Sequence, residues 1–366
     1  MAGLWHRRLD LAVCGRRATK CVNSADGNVR PSPFVARCVA ADAIPFGSGR
    51  WTWDGAQPVA AHHLGRDCLL VENGTVGNLE RTDGTIELEL AVGSERAFPG
   101  VVWRLQDDQN FESFFVRPHQ IGNPDAIQYT PVLNGISSWQ LYHGEGFWAP
   151  VAFPIDEWFT IRVVFAGPRA DVYVADMDEP ALQVRELKRP VAAGRIGIAA
   201  GGPPIRVARF SFGSGAELRS APPPLPSVEG IVRTWDVSDP FAEDETEPFV
   251  GRAWTSLDAE PNGLADLSRV NGIRDGRNTV LARTTIRSAR GHTARLDFGF
   301  SDRATVYLDG EPLYRGDDTY RSRDYRFLGS IGWWDSLYLP LRAGENELVF
   351  AVSEDFGGWG VQARLA

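Results

Sequence analysis

Between positions 85 and 92 the residues Thr-Ile-Glu-Leu-Glu-Leu-Ala-Val alternate apolar and polar side chains. A period of two belongs to a strand with one face buried and the other wet. Ile86, Leu88 and Leu90 are therefore predicted to face a core. Over 101–106, Val101, Trp103 and Leu105 fall on one side, and Arg104 and Gln106 on the other. Residues 111–117 and 158–165 read the same way, rich in β-branched and aromatic side chains. Gly167-Pro168-Arg169 reads as the turn of a hairpin into 170–174. Further on, 279–287 and 294–300 alternate, and 304–308 runs into Asp309-Gly310, a pair suited to the positive φ angles of a type I′ hairpin turn. Closing strands are predicted over 336–341, 347–352 and 361–365, with a turn at 343–346. Many strands, frequent turn signals and no long helical period predict an all-β sandwich or barrel.

Residues 218–228 contain Pro222, Pro223, Pro224 and Pro226. Fixed φ and missing amide donors make this a stiff, extended connector. The chain has 366 residues, more than one core usually organises. We therefore expect two β-sandwich (jelly-roll) domains, 46–212 and 232–366, joined by a Pro-rich linker at 213–231. Residues 1–40 form an N-terminal extension in which Arg7, Arg8, Arg16, Arg17, Lys20, Arg30 and Arg37 face only Asp10 and Asp26. A targeting peptide is the sharper reading of that segment; a disordered extension, or a start codon placed upstream, is the plainer and preferred one.

The formal net charge of −9 argues against a nucleic-acid backbone or an anionic membrane as main partner. No apolar run reaches transmembrane length, and the longest signal-like core, 9–14, is short and broken by Asp10. The compartment stays open between cytoplasmic and exported. Cys14, Cys21, Cys38 and Cys68 all lie in the first 68 residues, so neither sandwich is expected to depend on a disulfide framework.

The run Gly100-Val101-Val102-Trp103-Arg104, then Asn110-Phe111-Glu112, Trp158-Phe159-Thr160-Ile161-Arg162 and Ala170-Asp171-Val172-Tyr173-Val174 resembles the concanavalin A-like lectin/glucanase jelly roll. Within that superfamily it most resembles laminin G-like domains. Arg117 to Gln120, Gln128 to Pro131 and Trp139 to Tyr142 are similar to a set of bacterial laminin G-like proteins of unassigned function. The second half resembles the galactose-binding-like jelly roll, through residues 301–310 and 341–348. Both resemblances imply a lectin-like, carbohydrate-binding role often, and enzymatic activity only in some members.

The densest mixture of aromatic and hydrogen-bonding residues is Arg117, His119, Gln128, Tyr129, Asn134, Trp139, Tyr142, His143 and Trp148. Sugars need flat rings against their C–H faces and planar polar groups for their hydroxyls. The plainer reading is a long loop whose rings pack and whose Arg117 pairs with Asp125 or Glu145. A second cluster holds Arg321, Arg323, Asp324, Trp334, Glu354 and Trp359, within 320–325, 333–335 and 354–360. Glycines around Trp359 permit close backbone approach, as in a ligand-lined turn or an interface between domains. For this cluster the internal network is preferred.

No catalytic motif is present. Glu87 and Glu89 are explained by an outward strand face, and the Glu-x-Asp-x-x-Glu strand of laminarinase-type hydrolases is missing. Residues 107–110, Asp-Asp-Gln-Asn, offer oxygen ligands to calcium, the one cofactor the resemblances suggest; Asx-rich turns also arise for conformational reasons. The expectation is a carbohydrate-binding or surface-recognition protein without catalysis. Its rivals are a glycoside-active hydrolase or lyase, and a protein-binding or structural module. A glycan is the expected partner, a protein the alternative one, and nucleic acid and membrane insertion are not expected.

Overall fold

The computed structural model describes residues 41–366 apart from Tyr325. The extension expected at 1–40, with Cys14, Cys21 and Cys38, lies outside the described residues. Those described belong to one compact unit of antiparallel sheets, with two short 3-10 turns, Pro118–Gln120 and Leu267–Arg269, and no α-helix among them. The all-β class read from the period-two pattern is the class observed. No helix among the described residues is long and apolar enough to cross a membrane. Cys68 is buried and unpaired.

Two sheets of eight strands each enclose the first core. One runs Leu182–Val184, Arg169–Val174, Trp158–Ala166, Gly84–Ala91, Ile205–Gly213, Arg66–Val71, Val59–His63, with Asp42–Ala43 as an eighth strand paired to Ile205–Gly213. The other runs Ile136–Ser137, Ile127–Leu133, Asn110–Val116, Gly100–Asp107, Arg195–Ala199, Asn73–Val76, Trp51–Asp54, with Trp148–Ala149 as an eighth strand paired to Ile127–Leu133. Ile86, Leu88, Leu90, Ile161 and Phe165 from the first meet Val101, Trp103, Phe114 and Tyr129 from the second in a single buried cluster. Burying one such aliphatic or aromatic side chain contributes about 1.5–3 kcal/mol.

One register expectation fails. Val101 and Trp103 do face the core, but Leu105 does not share their side. The pairing of Gly100–Asp107 with its neighbours shifts register after Trp103, and Arg104 adopts φ 47°. A bulge of this kind reverses which face later residues occupy. Arg104 is consequently buried, donating to the Thr82 carbonyl at 2.8 Å and the Gly167 carbonyl at 2.6 Å.

The second core lies between a six-stranded sheet, with Thr279–Ser288 and Gly344–Ser353 at its centre, and a four-stranded sheet centred on His292–Ser301 and Gly360–Leu365. Asp309 and Gly310 have φ of 52° and 86°, and Leu308 pairs with Glu311, the tight hairpin the dipeptide predicted. Trp235, Phe298, Phe350 and Trp359 anchor this core.

The two sandwiches are joined by the segment after Leu133. Ile136 belongs to the second hydrophobic core, although its strand pairs with the first sandwich. Leu141 and Tyr142 pack with Leu264 and Ile331. Asn134 Nδ2 donates to the Ser268 carbonyl at 2.8 Å, and Gln140 N–H donates to the Gly357 carbonyl at 2.8 Å. Gly357 and Gly358, with φ of 112° and 141°, lie against this segment. A Cβ on Gly357 would stand 2.0 Å from Gln140 Oε1, and one on Gly358 2.7 Å from Leu141 Cγ. The glycines beside Trp359 thus allow a close approach between the sandwiches.

Residues 214–229 form no strand, yet the first part of this stretch is pinned. Arg219 N–H donates to Asp171 Oδ2 at 2.5 Å, and Gln183 and Arg185 donate to the carbonyls of Ser220 and Pro223 at 3.2 and 2.9 Å. We propose that the boundary between the sandwiches falls here. Limited proteolysis is expected to nick 224–228 first, giving two bands on a denaturing gel that still co-elute on native gel filtration. Separate elution of the pieces, or first cuts inside a strand, would contradict it.

A cleft shared by both sandwiches as the candidate functional site

The outer face of the sheet containing Gly100–Asp107 is not flat and wet. It carries a cleft of about 720 Å³. Alternation along Asn110–Val116 explains its lining: Phe114 and Val116 point into the core, so Phe111, Ser113 and Phe115 point into the cleft. The bulge at Arg104 adds Leu105 to Val102 on the same face. Trp139 stands on the near side. Tyr320, Leu328 and Phe356 arrive from the second sandwich, and Trp139 packs edge-on to Tyr320 at 6.1 Å and to Phe356 at 5.6 Å. Both sandwiches therefore build the wall.

At one end of the cleft sit Arg96, Phe98, Arg117 and His119. Arg117 is buried, 4.9 Å over the Phe115 ring and 5.8 Å from Phe98. It donates to the Asp125 carbonyl at 2.5 Å and to Gln128 Oε1, and pairs with the Asp125 carboxylate at 3.7 Å. Burial, opposed by Asp125, lowers this guanidinium to about 10, which leaves it charged at neutral pH. His119 caps the Phe98 edge at 5.4 Å, and among the described residues its enclosed Nδ1 has no hydrogen-bond partner. Burial, then the charges of Arg96 and Arg117, push His119 below the usual imidazole range, so it is neutral at pH 7.

The nine residues of the first sequence cluster separate into four places. Arg117, His119 and Trp139 line the cleft. Gln128 and Tyr129 are wholly buried and offer no surface to a ligand. Gln128 instead positions Trp139: fixed by Arg117, its Nε2 donates to the carbonyls of Trp139 and Tyr142, both at 2.8 Å. Tyr129 donates to Glu112 Oε2 at 2.7 Å inside the core. Asn134, Tyr142 and His143 are taken up by the second sandwich. The Tyr142 hydroxyl reaches Glu260 at 2.7 Å, and the His143 ring lies 2.7 Å from the Ile331 carbonyl. Trp148 lines a separate groove of about 480 Å³, with Pro124, Pro150, Pro180 and Pro222.

The second cluster does not converge on one site. Trp359 is core and Glu354 is buried, its Oε1 accepting from Gly358 N–H at 2.8 Å. Burial, with Asp302 beside it, holds the Glu354 carboxyl well above its ordinary range. Arg323 bridges Asp318 at 3.1 Å and Asp335 at 2.6 Å. Asp324 pairs with Arg326, which pulls it down to about 2. Arg321 stacks on Tyr320 at 5.0 Å, and Trp334 packs on Phe327 at 4.7 Å. Tyr325 lies outside the described residues.

At the calcium candidate, Asp107 Oδ1 accepts from Gln109 N–H at 2.9 Å and from Asn110 Nδ2 at 3.0 Å, the Asx bonding of a hairpin turn. Among the described residues no group of three or more His, Cys, Asp or Glu side chains is placed to hold a metal ion.

The sequence reasoning missed Arg96, Phe98, Phe111 and Phe115, and it placed Tyr320 and Phe356 in the second cluster rather than with Trp139. One signal was present: Asn110–Val116 carries aromatic residues on both faces, which a strand with a solvated side does not.

No family model matches the chain, and no curated protein matches it. Among solved structures, a carbohydrate-binding module from Bacillus subtilis is similar at 13% identity and TM-score 0.32, over 45% of this chain and 92% of that one. A Bacillus licheniformis β-glucanase is similar at 10% identity and TM-score 0.34, over 47% and 96%. Domain 4 of an extracellular arabinanase from Geobacillus stearothermophilus, solved with arabinotriose, is similar at 12% identity and TM-score 0.32, over 44% and 78%. Likenesses of this size say nothing of ligand or activity.

Proposed function

We propose that the chain binds carbohydrate in this cleft and does not cleave it. The observation that carries the reading is the lining: Phe98, Phe111, Phe115, Trp139, Tyr320 and Phe356 around one cavity with Arg96, Arg117 and His119. Rings suit the C–H faces of a sugar, and guanidinium and imidazole groups suit its oxygens. A concave, mostly apolar site with a few polar groups is the usual form of a ligand pocket.

The carboxylates argue for binding over hydrolysis. A two-carboxyl hydrolase holds its pair about 5–10 Å apart. Among the described lining residues the carboxylates are Asp54, Asp108 and Asp125. Asp125 is engaged by Arg117. Asp54 shares the pairing row of Asn73, Ala199, Gly100 and Phe115, whereas Asp108 follows the opposite end of Gly100–Asp107. Seven residues of strand put these two ends roughly 20 Å apart.

The test is a glycan screen with the full chain, with and without calcium, followed by affinity measurements on Trp139→Ala. That change is expected to weaken glycan binding by about 1–3 kcal/mol with little change in thermal midpoint, because Trp139 is only partly buried. Shortened or unsaturated sugar products would overturn the non-catalytic part. Unaltered glycan affinity in Trp139→Ala would remove the site from this cleft.

A further inference from the structure

The charges of the cleft are not spread evenly. Arg96 and Arg117 stand 5.2 and 5.8 Å from the same Phe98 ring, at the end where Gly100–Asp107 begins and Asn110–Val116 stops. Of the carboxylates that line the cleft the nearby one is Asp125, and Arg117 pairs with it; Glu95, beside Arg96 in the chain, is exposed and is not at ion-pair distance from it. Arg96 is exposed and, among the described residues, meets no carboxylate at ion-pair distance. Asp54 lies on the same pairing row, but three strands along the sheet from Gly100, about 14 Å at the usual strand spacing. Asp108 is at the other end, where Arg195 pairs across from Leu105. One end of the cleft therefore carries an uncompensated guanidinium, in a chain whose formal net charge is −9.

The free hydrogen-bonding capacity of that guanidinium matters as much as its charge. Its central carbon lies 5.2 Å from the Phe98 centroid, and among the described residues none of its N–H groups is hydrogen-bonded. A fork of parallel N–H donors matches an oxyanion of planar or tetrahedral geometry, bidentate for a carboxylate. The buried Arg117 guanidinium adds to the positive field, with two of its nitrogens already donating to the Asp125 carbonyl and to Gln128.

We propose that the Arg96 end of the cleft is a subsite for an acidic sugar residue, one bearing a carboxylate or a sulfate, recognised by the edge of the Arg96 guanidinium. The proposal rests on the carbohydrate reading of the cleft and narrows it to a ligand class.

The experiment is a binding titration of the full chain with matched oligosaccharide pairs: uronate-containing oligosaccharides against their carboxyl-reduced forms, and sulfated ones against their desulfated forms. In at least one pair the acidic member is expected to bind about tenfold tighter, with the ratio shrinking as salt is raised. Arg96→Ala brings the two affinities of that pair together, and Arg96→Lys keeps part of the ratio, since the charge remains and the fork is lost. Which pair responds distinguishes carboxylate from sulfate. Neutral members binding as well as acidic ones, or a ratio unmoved by Arg96→Ala, overturns the acidic subsite and leaves the carbohydrate reading standing. Failure of every sugar to bind overturns both.

Discussion

Replacing Tyr142 by alanine is expected to destabilise the fold by about 3–5 kcal/mol, the range for removing a fully buried aromatic side chain. Tyr142 is 1% exposed and packs where the sandwiches meet, against Leu264 and Ile331. Its hydroxyl has one proton and three neighbours: Glu260 Oε1 at 2.7 Å, Asp266 Oδ2 at 3.1 Å, and Arg269 Nη2, which donates to it at 3.2 Å. Burial, and then the Asp266 and Glu260 carboxylates, raise this hydroxyl far above the ordinary phenol range, so it is protonated and a donor at neutral pH. Removing the ring opens a cavity and takes a donor from two enclosed carboxylates. Tyr142→Phe keeps the ring and is expected to lose only about 1.5–3 kcal/mol, the worth of hydrogen bonding to charge. Denaturant titrations of the two variants measure both losses. Near-wild-type stability of Tyr142→Ala together with lost glycan affinity would return Tyr142 to the binding site.

Lys188→Met should rank beside it. One of only two lysines in the chain, Lys188 is buried and holds Glu260 at 2.7 Å and Glu186 at 2.9 Å, its ammonium 5.5 Å from the Tyr142 ring. Removing one partner of a buried ion pair strands the other, a loss of about 3–5 kcal/mol. Methionine preserves most of the volume, so the loss reads charge more than packing. Because Arg269 also reaches Glu260, at 3.1 Å, the lower part of that range is expected. Glu260→Gln in the Lys188→Met background should recover part of it, since the stranded charge is gone. Lys188 and Tyr142 share Glu260, so their effects should not add; strict additivity would mean that the two side chains act separately.

How far the sequence foretold this depends on the kind of information each residue carries. Ile86, Leu88 and Leu90 were legible because burial imposes a period of two on the chain itself, and Asp309-Gly310 because its turn demands two positive φ values. Arg104 was not legible: a bulge is set by how neighbouring strands pair, and an arginine read by alternation alone is placed outside. The structure divides the cluster from Arg117 to Trp148 among the cleft, the first core, the seam and a separate groove. Aromatic rings and amides are what a sugar site needs, and equally what a tight seam between two sandwiches needs. Asn134, Tyr142 and His143 serve the seam, and nothing in their spacing separates them from Trp139, which faces the cleft. Arg96 and Phe98 escaped notice because they stand outside the strands, brought to the cleft by where the Gly100–Asp107 strand begins. Tyr320 and Phe356 are more than 170 residues from Trp139 in the chain, and only the packing of one sandwich on the other brings them to it.

That packing has a bearing on inheritance. A domain with its own hydrophobic core can in principle fold alone and be moved between genes without its neighbour. Here the cleft straddles the seam, with Trp139 on one side and Tyr320, Leu328 and Phe356 on the other, while Ile136 of the first sandwich fills a place in the second core. A recombination event at the proline stretch would give each half a foreign neighbour, breaking a core and unmaking the cleft in one step. The pair is therefore expected to travel between genomes as a unit, and changes in the lining of the cleft should arise by substitutions facing each other across the seam.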